Sequence, residues 1–258
     1  MKILTAVFFC IFVATASYAA VKTESVEYKE GNTVLEGFLA YDDTSTNIRP
    51  GVLIVHEWMG INDYTKRRAV MLADMGYVAF AADIFGKGVR PTNTKEASEQ
   101  AAKYKGDRPV LRARALAGLE QLKKSRLIDP KKIAAIGYCF GGTTVLELAR
   151  AGADVAGVVS FHGGLDMPNP EDTKNIKAKV LICHGGDDPY VLAEQVADFQ
   201  NQLRQAKVDW QFIAYGGAVH SFTNPDAGND PSKGAAYNAD ADRRSWEAMK
   251  QFFAEILK

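Results

Sequence analysis

Paired metal or redox ligands are missing from this chain. Three cysteines and four histidines occur among its 258 residues, and none stand at Cys-x-x-Cys or His-x-x-x-His spacing. That excludes a dithiol redox centre, which needs a resolving cysteine, and offers no zinc-type ligand set. Charge of one sign is also missing. Lys and Arg total 31 and Asp and Glu total 31, so no global field draws the chain to nucleic acid or to an anionic membrane. The glycines between Gly137 and Gly142 are not followed by the Lys-Ser/Thr of a phosphate loop. No repeat, low-complexity tract or linker divides the sequence, so one domain with an ample core is expected from the 47% apolar content. No cofactor and no metal are expected.

The one long apolar run lies at the start. Lys2 is followed by the apolar stretch Ile3 to Val13, then by Ser17-Tyr18-Ala19, and the first acidic residue is Glu24. A positive n-region, an apolar h-region and a small-x-small exit are the marks of a secretory leader. The expectation is a signal peptide over residues 1–19, cleavage before Ala20, and a mature domain over 20–258 that is periplasmic or secreted. No later run reaches membrane length, so no membrane association is expected after cleavage. Removal of the leader also removes Cys10 and leaves Cys139 and Cys183, both expected to be free thiols, with Cys183 in an apolar strand.

What is present is a periodic alternation of strands and helices. Val21–Tyr28 and Thr33–Tyr41 read as a hairpin around Glu30-Gly31-Asn32. Buried strands follow at 51–56, 77–82, 132–136, 154–160 and 178–183, and a last strand at 209–215. Helices are expected at 64–75, 95–104, 109–124, 143–150, 191–205 and 235–257. This order predicts an α/β fold with a mostly parallel central sheet and helices on both faces, in which sites lie at the carboxyl ends of the strands.

At one such end stands Gly137-Tyr-Cys139-Phe-Gly141. Gly-x-Cys-x-Gly is the thiol form of the nucleophile elbow, a strained strand-to-helix turn whose flanking positions must almost vanish for the backbones to approach. The turn aims the N-terminus of the next helix at the sulfur, which favours thiolate. Later strand ends carry Gly185-Gly-Asp187-Asp188 and Val219-His220-Ser221. Nucleophile, acid, histidine is the chain order of the α/β-hydrolases. The chemistry needs all three, because histidine moves the proton and the carboxylate holds the imidazole in one tautomer. His56 and His184 each close a strand and His162 stands in Phe161-His-Gly-Gly; all three are expected to rim the cleft.

The chain resembles the dienelactone hydrolase family over essentially the whole mature length. The resemblance is carried by Val52-Leu-Ile-Val-His-Glu-Trp-Met-Gly-Ile61, Gly76–Asp83, Gly137–Gly142, Gly185–Asp188 and His220–Phe222. It implies an α/β-hydrolase fold and cleavage of a carboxylic ester or lactone. It also implies roles: Cys139 as nucleophile, His220 as base, and Asp188 rather than Asp187 as acid. Glu57 would hold the resting thiol until substrate displaces it, and the N–H groups of Trp58 and Phe140 would form the oxyanion hole. Two family arginines that grip a substrate carboxylate are replaced by Asn224 and Ser98, so dienelactone itself does not follow from the resemblance. Arg108, Arg112 and Arg114 read either as substitute grips or as a solvated helix face. Glu57 read without the resemblance is a turn cap or an ion-pair partner of Lys66, Arg67 or Arg68. The expected partner is a small-molecule ester or lactone acting on a monomer or weak homo-oligomer. The competing reading is a binding protein that keeps an α/β-hydrolase fold without turnover.

Overall fold

The computed structural model describes residues 21–258, so the leader expected over residues 1–19 lies outside the described residues. Strands β1 (Val21–Glu30) and β2 (Thr33–Asp42) form the antiparallel hairpin, turned at Gly31 with φ +52°. Strands β3 (Arg49–Val55), β4 (Val78–Ala82), β5 (Ile128–Tyr138), β6 (Gly157–Phe161), β7 (Lys179–Gly185) and β8 (Trp210–Tyr215) run parallel. The spatial order is β1-β2-β4-β3-β5-β6-β7-β8. The helices are α1 (Asp63–Asp74), α2 (Thr94–Gly106), α3 (Arg108–Lys123), α4 (Phe140–Arg150), α5 (Ala193–Gln205) and α6 (Ala239–Ile256).

Alternation along each strand sorts the core into two layers. Leu53 and Val55 of β3, Ile133 and Ala135 of β5 and Val180 and Ile182 of β7 pack with α2, α3, α4 and α5. Their neighbours Val52, Ile54, Ala134, Ile136, Leu181 and Cys183 face α1 and α6. Helix starts are set by side-chain caps: Asn62 accepts from Thr65 N–H, Asp107 from Val110 N–H and Asn238 from Ala241 N–H.

Several expectations shift at their edges; β5 starts at Ile128 instead of residue 132 and β6 at Gly157 instead of residue 154. α4 starts at Phe140, directly after the elbow cysteine, instead of at Thr143. α6 starts at Ala239 instead of residue 235, because Asn238 is its cap. A short 3-10 turn over Pro170–Asn175 precedes β7. Arg108, Arg112 and Arg114 are neither a solvated face nor free grips. They are turned into ion pairs, Arg108 with Asp166, Arg112 with Glu147 and Asp172, and Arg114 with Glu30.

The order of strands matters for the site. β3 lies between β4 and β5, so the chain departs from β3 in one direction and returns to its other side through β5. The carboxyl ends of β3 and β5 flank the crevice that such a reversal opens.

Candidate active site

Cys139 is the last residue before α4 and has φ +53° and ψ −115°. A side chain at positive φ outside the ordinary turn region stores about 1–3 kcal/mol, and the packing around the elbow holds it there. A Cβ on Gly137 would stand 2.0 Å from the carbonyl oxygen of Gly141, and one on Gly141 would stand 2.1 Å from that of Val55. The two glycines are therefore required by the close approach of backbones. The turn puts the sulfur at the positive end of α4, where Phe140 N–H is among the first-turn donors with no acceptor inside the helix.

His220 follows β8 and meets the elbow. Its Nε2 is 3.0 Å from Cys139 Sγ and its Nδ1 is 2.8 Å from Asp188 Oδ2. Asp188 is buried in the loop after β7, and its other oxygen accepts the N–H of Tyr190 at 2.9 Å. Asp187 points elsewhere and accepts from Gly217 N–H, which separates the two adjacent aspartates. Burial works against a charged imidazole, but the Cys139 sulfur and the Asp188 carboxylate outweigh it and push His220 up to about 10. Both partners thus favour the protonated imidazole.

Glu57, two residues past β3, is 4% exposed. Its Oε2 accepts from Asn224 Nδ2 at 2.6 Å, and among the described residues it has no hydrogen bond to Cys139. Nor does it pair with the cations considered for it: Lys66 faces Asp63, Arg67 faces Asp226 and Arg68 faces Asp242. Burial pushes the carboxyl up to about 7, against the opposing pull of Asn224, His220 and Arg68. Asn224 is thus a buried partner of Glu57 (8% exposed).

A cavity of about 510 Å³ opens over the sulfur. Trp58, Phe140 and Val191 give it apolar walls, Ala101 and Ala102 of α2 close one side, and Tyr190 stands at the mouth. Tyr190 is edge-on to His220, with ring centres 5.4 Å apart. Ser98, Lys105 and Ser221 supply the remaining polar lining. A space of this size with few polar groups suits a small organic molecule.

The other histidines do not rim the cleft as expected. His56 and His162 are fully buried. Burial pushes His56 down to about 4. Its Nε2 accepts Ile84 N–H at 3.2 Å and its Nδ1 donates to Glu57 O at 2.6 Å, so it ties the ends of β3 and β4. His162 accepts the N–H of Cys139 at Nδ1. His184 is buried against Phe212. Cys183 is a free thiol in the core, pushed up to about 12 by burial, and is inert by that measure. The sequence pattern points to strand ends, but only the folded chain shows which strand-end side chains turn inward.

An eight-stranded, mostly parallel sheet with a strained elbow after β5 and an acid and a histidine after β7 and β8 defines an α/β-hydrolase fold. The chain belongs to the dienelactone hydrolase family, whose model matches residues 35–257. A protein of Aquifex aeolicus provisionally named a carboxymethylenebutenolidase is 27% identical over 241 residues, covering 91% of this chain and 99% of that one. A solved structure described as "m3DLH" is 40% identical with a TM-score of 0.89, covering 93% of this chain and all of that one (100%). A second, a dienelactone hydrolase-like promiscuous phosphotriesterase, P91, from metagenomic libraries, is 42% identical with a TM-score of 0.87 at the same coverage. The protein is a hydrolase that acts on a small molecule.

Proposed function

We propose that the protein cleaves a carboxylic ester or lactone through a covalent thioester on Cys139. The hydrogen-bonded line from Asp188 through His220 to a sulfur facing the cavity is the observation that carries this reading. His220 holds the proton as a cation while the sulfur attacks the substrate carbonyl as thiolate. The oxygen of the tetrahedral intermediate becomes an anion, and the N–H groups of Trp58 and Phe140 donate to it. Collapse expels the alkoxide or enolate, which takes the proton from His220. A water then attacks the thioester with His220 as base, and the acid leaves. Asp188 keeps Nδ1 protonated throughout, so Nε2 is the atom that exchanges protons.

Glu57 adjusts the charge beside the sulfur. Turned toward Asn224, it leaves Cys139 to His220, the arrangement in which substrate is attacked. The cavity lining holds Lys105 and no arginine, so it lacks the bidentate grip that an arginine gives a carboxylate and does not require the carboxylate of dienelactone. The similarity to P91 brings a second class of neutral substrate, phosphotriesters, into consideration. We also propose that residues 1–19 are an export leader and that the enzyme works in the periplasm or outside the cell, on the strength of the charge and hydropathy pattern of that segment.

A panel of aryl esters, lactones, thioesters and a phosphotriester assayed on the mature protein tests the substrate class. Cys139→Ala should abolish turnover of every substrate the wild type accepts, and electrospray mass spectrometry of quenched wild-type reactions should show an acyl adduct on Cys139. Turnover surviving in Cys139→Ala would remove the covalent mechanism.

A further inference from the structure

Behind the reacting groups lies a buried polar chain that the acyl transfer leaves unused. His162 directly follows β6 and adopts φ +39°, a left-handed conformation uncommon for a residue with a side chain. Its Nδ1 accepts the N–H of Cys139 at 3.1 Å, and its Nε2 is 2.7 Å from Thr223 Oγ1. Facing an N–H donor, Nδ1 must present a lone pair, so the ring proton is on Nε2 and is donated to Thr223. Thr223 Oγ1 is bonded at 2.6 Å to the hydroxyl of Tyr64, which accepts from Arg68 Nε at 3.3 Å. Arg68 also donates to the carbonyl of Thr223 at 2.9 Å and pairs with Asp242. The chain thus runs from the nucleophile's own backbone to an ion pair between α1 and α6.

We propose that His162 and Thr223 are positioning residues that clamp the elbow carrying Cys139 to the loop carrying His220. This rests on the reading of Cys139 as nucleophile and His220 as its base. Cys139 leaves β5 and His220 leaves β8, with β6 and β7 between them. No ladder bond therefore joins the two strands whose ends must meet. Thr223 lies three residues beyond His220, past Ser221 at φ +55°, in a stretch outside the eight-stranded sheet that is tied by the bridge of His220 to Ala235 and by Asn238 N–H to Phe222 O. His162 sits at the end of the intervening strand and bonds to both sides, so one imidazole sets both halves of the 3.0 Å approach between sulfur and base. Satisfying a buried donor does not require it, because the N–H of Cys139 also reaches Phe161 O at 3.0 Å.

The clamp must be neutral to work, since protonation of Nδ1 would put two donors face to face. Burial, followed by the charge of His220, holds His162 well below the ordinary imidazole range. The titratable groups around it are His220, with ring centres 5.3 Å apart, Tyr138 at 6.1 Å, Tyr64, Arg68 and Cys139.

The test compares Thr223→Val, which keeps shape and loses the hydroxyl, with Thr223→Ser, which keeps the hydroxyl. Thermal midpoint, kcat and KM on an accepted ester, and the pH profile of Cys139 alkylation by iodoacetamide are measured for both. Misplacing a reacting pair by about 1 Å costs on the order of 100-fold in rate, so a smaller displacement is expected to cost about 10-fold or more. Thr223→Val should show that loss in kcat with KM nearly unchanged, and its alkylation profile should move along the pH axis. Thr223→Ser should stay close to wild type in both. A folded Thr223→Val with unchanged kcat and profile would overturn the clamp, as would a Thr223→Ser equally impaired. If Thr223→Val fails to fold, His162→Asn replaces it, since Asn tolerates positive φ and keeps an acceptor at the Nδ1 position but loses Thr223. It should show the same loss, and wild-type behaviour there would overturn the proposal. Turnover by Cys139→Ala is a separate result: it would sink the nucleophile reading, and the clamp's purpose with it.

Discussion

Replacing Glu57 with Gln isolates the cost of carrying a carboxylate in this site. Burial raises the Glu57 carboxyl from an ordinary 4.5 to about 7, and the hydrogen bond from Asn224 and the charges of His220 and Arg68 only partly offset it. The native state then binds that proton more tightly than the unfolded chain does. Between about pH 4.5 and 7 stability falls as pH rises, and above that range the full cost remains. At about 1.4 kcal/mol per pH unit the cost at pH 8 is on the order of 3 kcal/mol, and at pH 5 it is under about 1 kcal/mol. Gln is neutral at both pH values and can still accept from Asn224. Glu57→Gln should therefore melt roughly 6–12 °C above wild type at pH 8 and close to it at pH 5. Differential scanning fluorimetry at the two pH values reads the difference directly, and turnover measured alongside should fall. A melting difference that is the same at both pH values would refute the reasoning, because an altered fit of the side chain alone carries no such pH slope.

Two further outcomes can be checked independently. Gly137→Ala places a Cβ 2.0 Å from a backbone oxygen, so urea unfolding should show a loss of about 3 kcal/mol or more, with failure to fold as the extreme; a loss under about 1 kcal/mol would show that the elbow can relax. If residues 1–19 are a leader, mass spectrometry of protein recovered from its natural host should find a mature N-terminus at or within a residue or two of Ala20, and an intact Met1 would refute export.

The parts of the site legible in sequence are those whose chemistry is written in adjacent residues. Gly137-x-Cys139-x-Gly141 declares itself because two missing side chains and one thiol occupy five consecutive positions, and the 2.0 and 2.1 Å approaches show why. Asp188 and His220 follow from the order of strands, since β7 and β8 must end on the same side as β5 in a parallel sheet. The role of His162 is not legible there. It depends on a positive φ and on Thr223, 61 residues further on, and neither leaves a local pattern. Arg108, Arg112 and Arg114 mislead in the opposite direction. Their spacing resembles a solvated helix face, yet Glu147, Asp166 and Asp172 on other elements draw Arg108 and Arg112 inward, and Glu30 draws Arg114.

Asn224 shows how the choice of one side chain bears on the protonation of its neighbour. An arginine at that position would present a cation to Glu57, and a buried carboxyl beside a cation stays ionised well into acid. Asparagine offers one hydrogen bond at 2.6 Å without the charge, so burial dominates and the carboxyl rises to about 7. A neutral Glu57 does not repel a thiolate, whereas an ionised one does. The charge on Glu57 then varies with pH around neutrality. The buried carboxyl and its one hydrogen bond from Asn224 thus form a group that titrates near neutrality and feels the charge of His220.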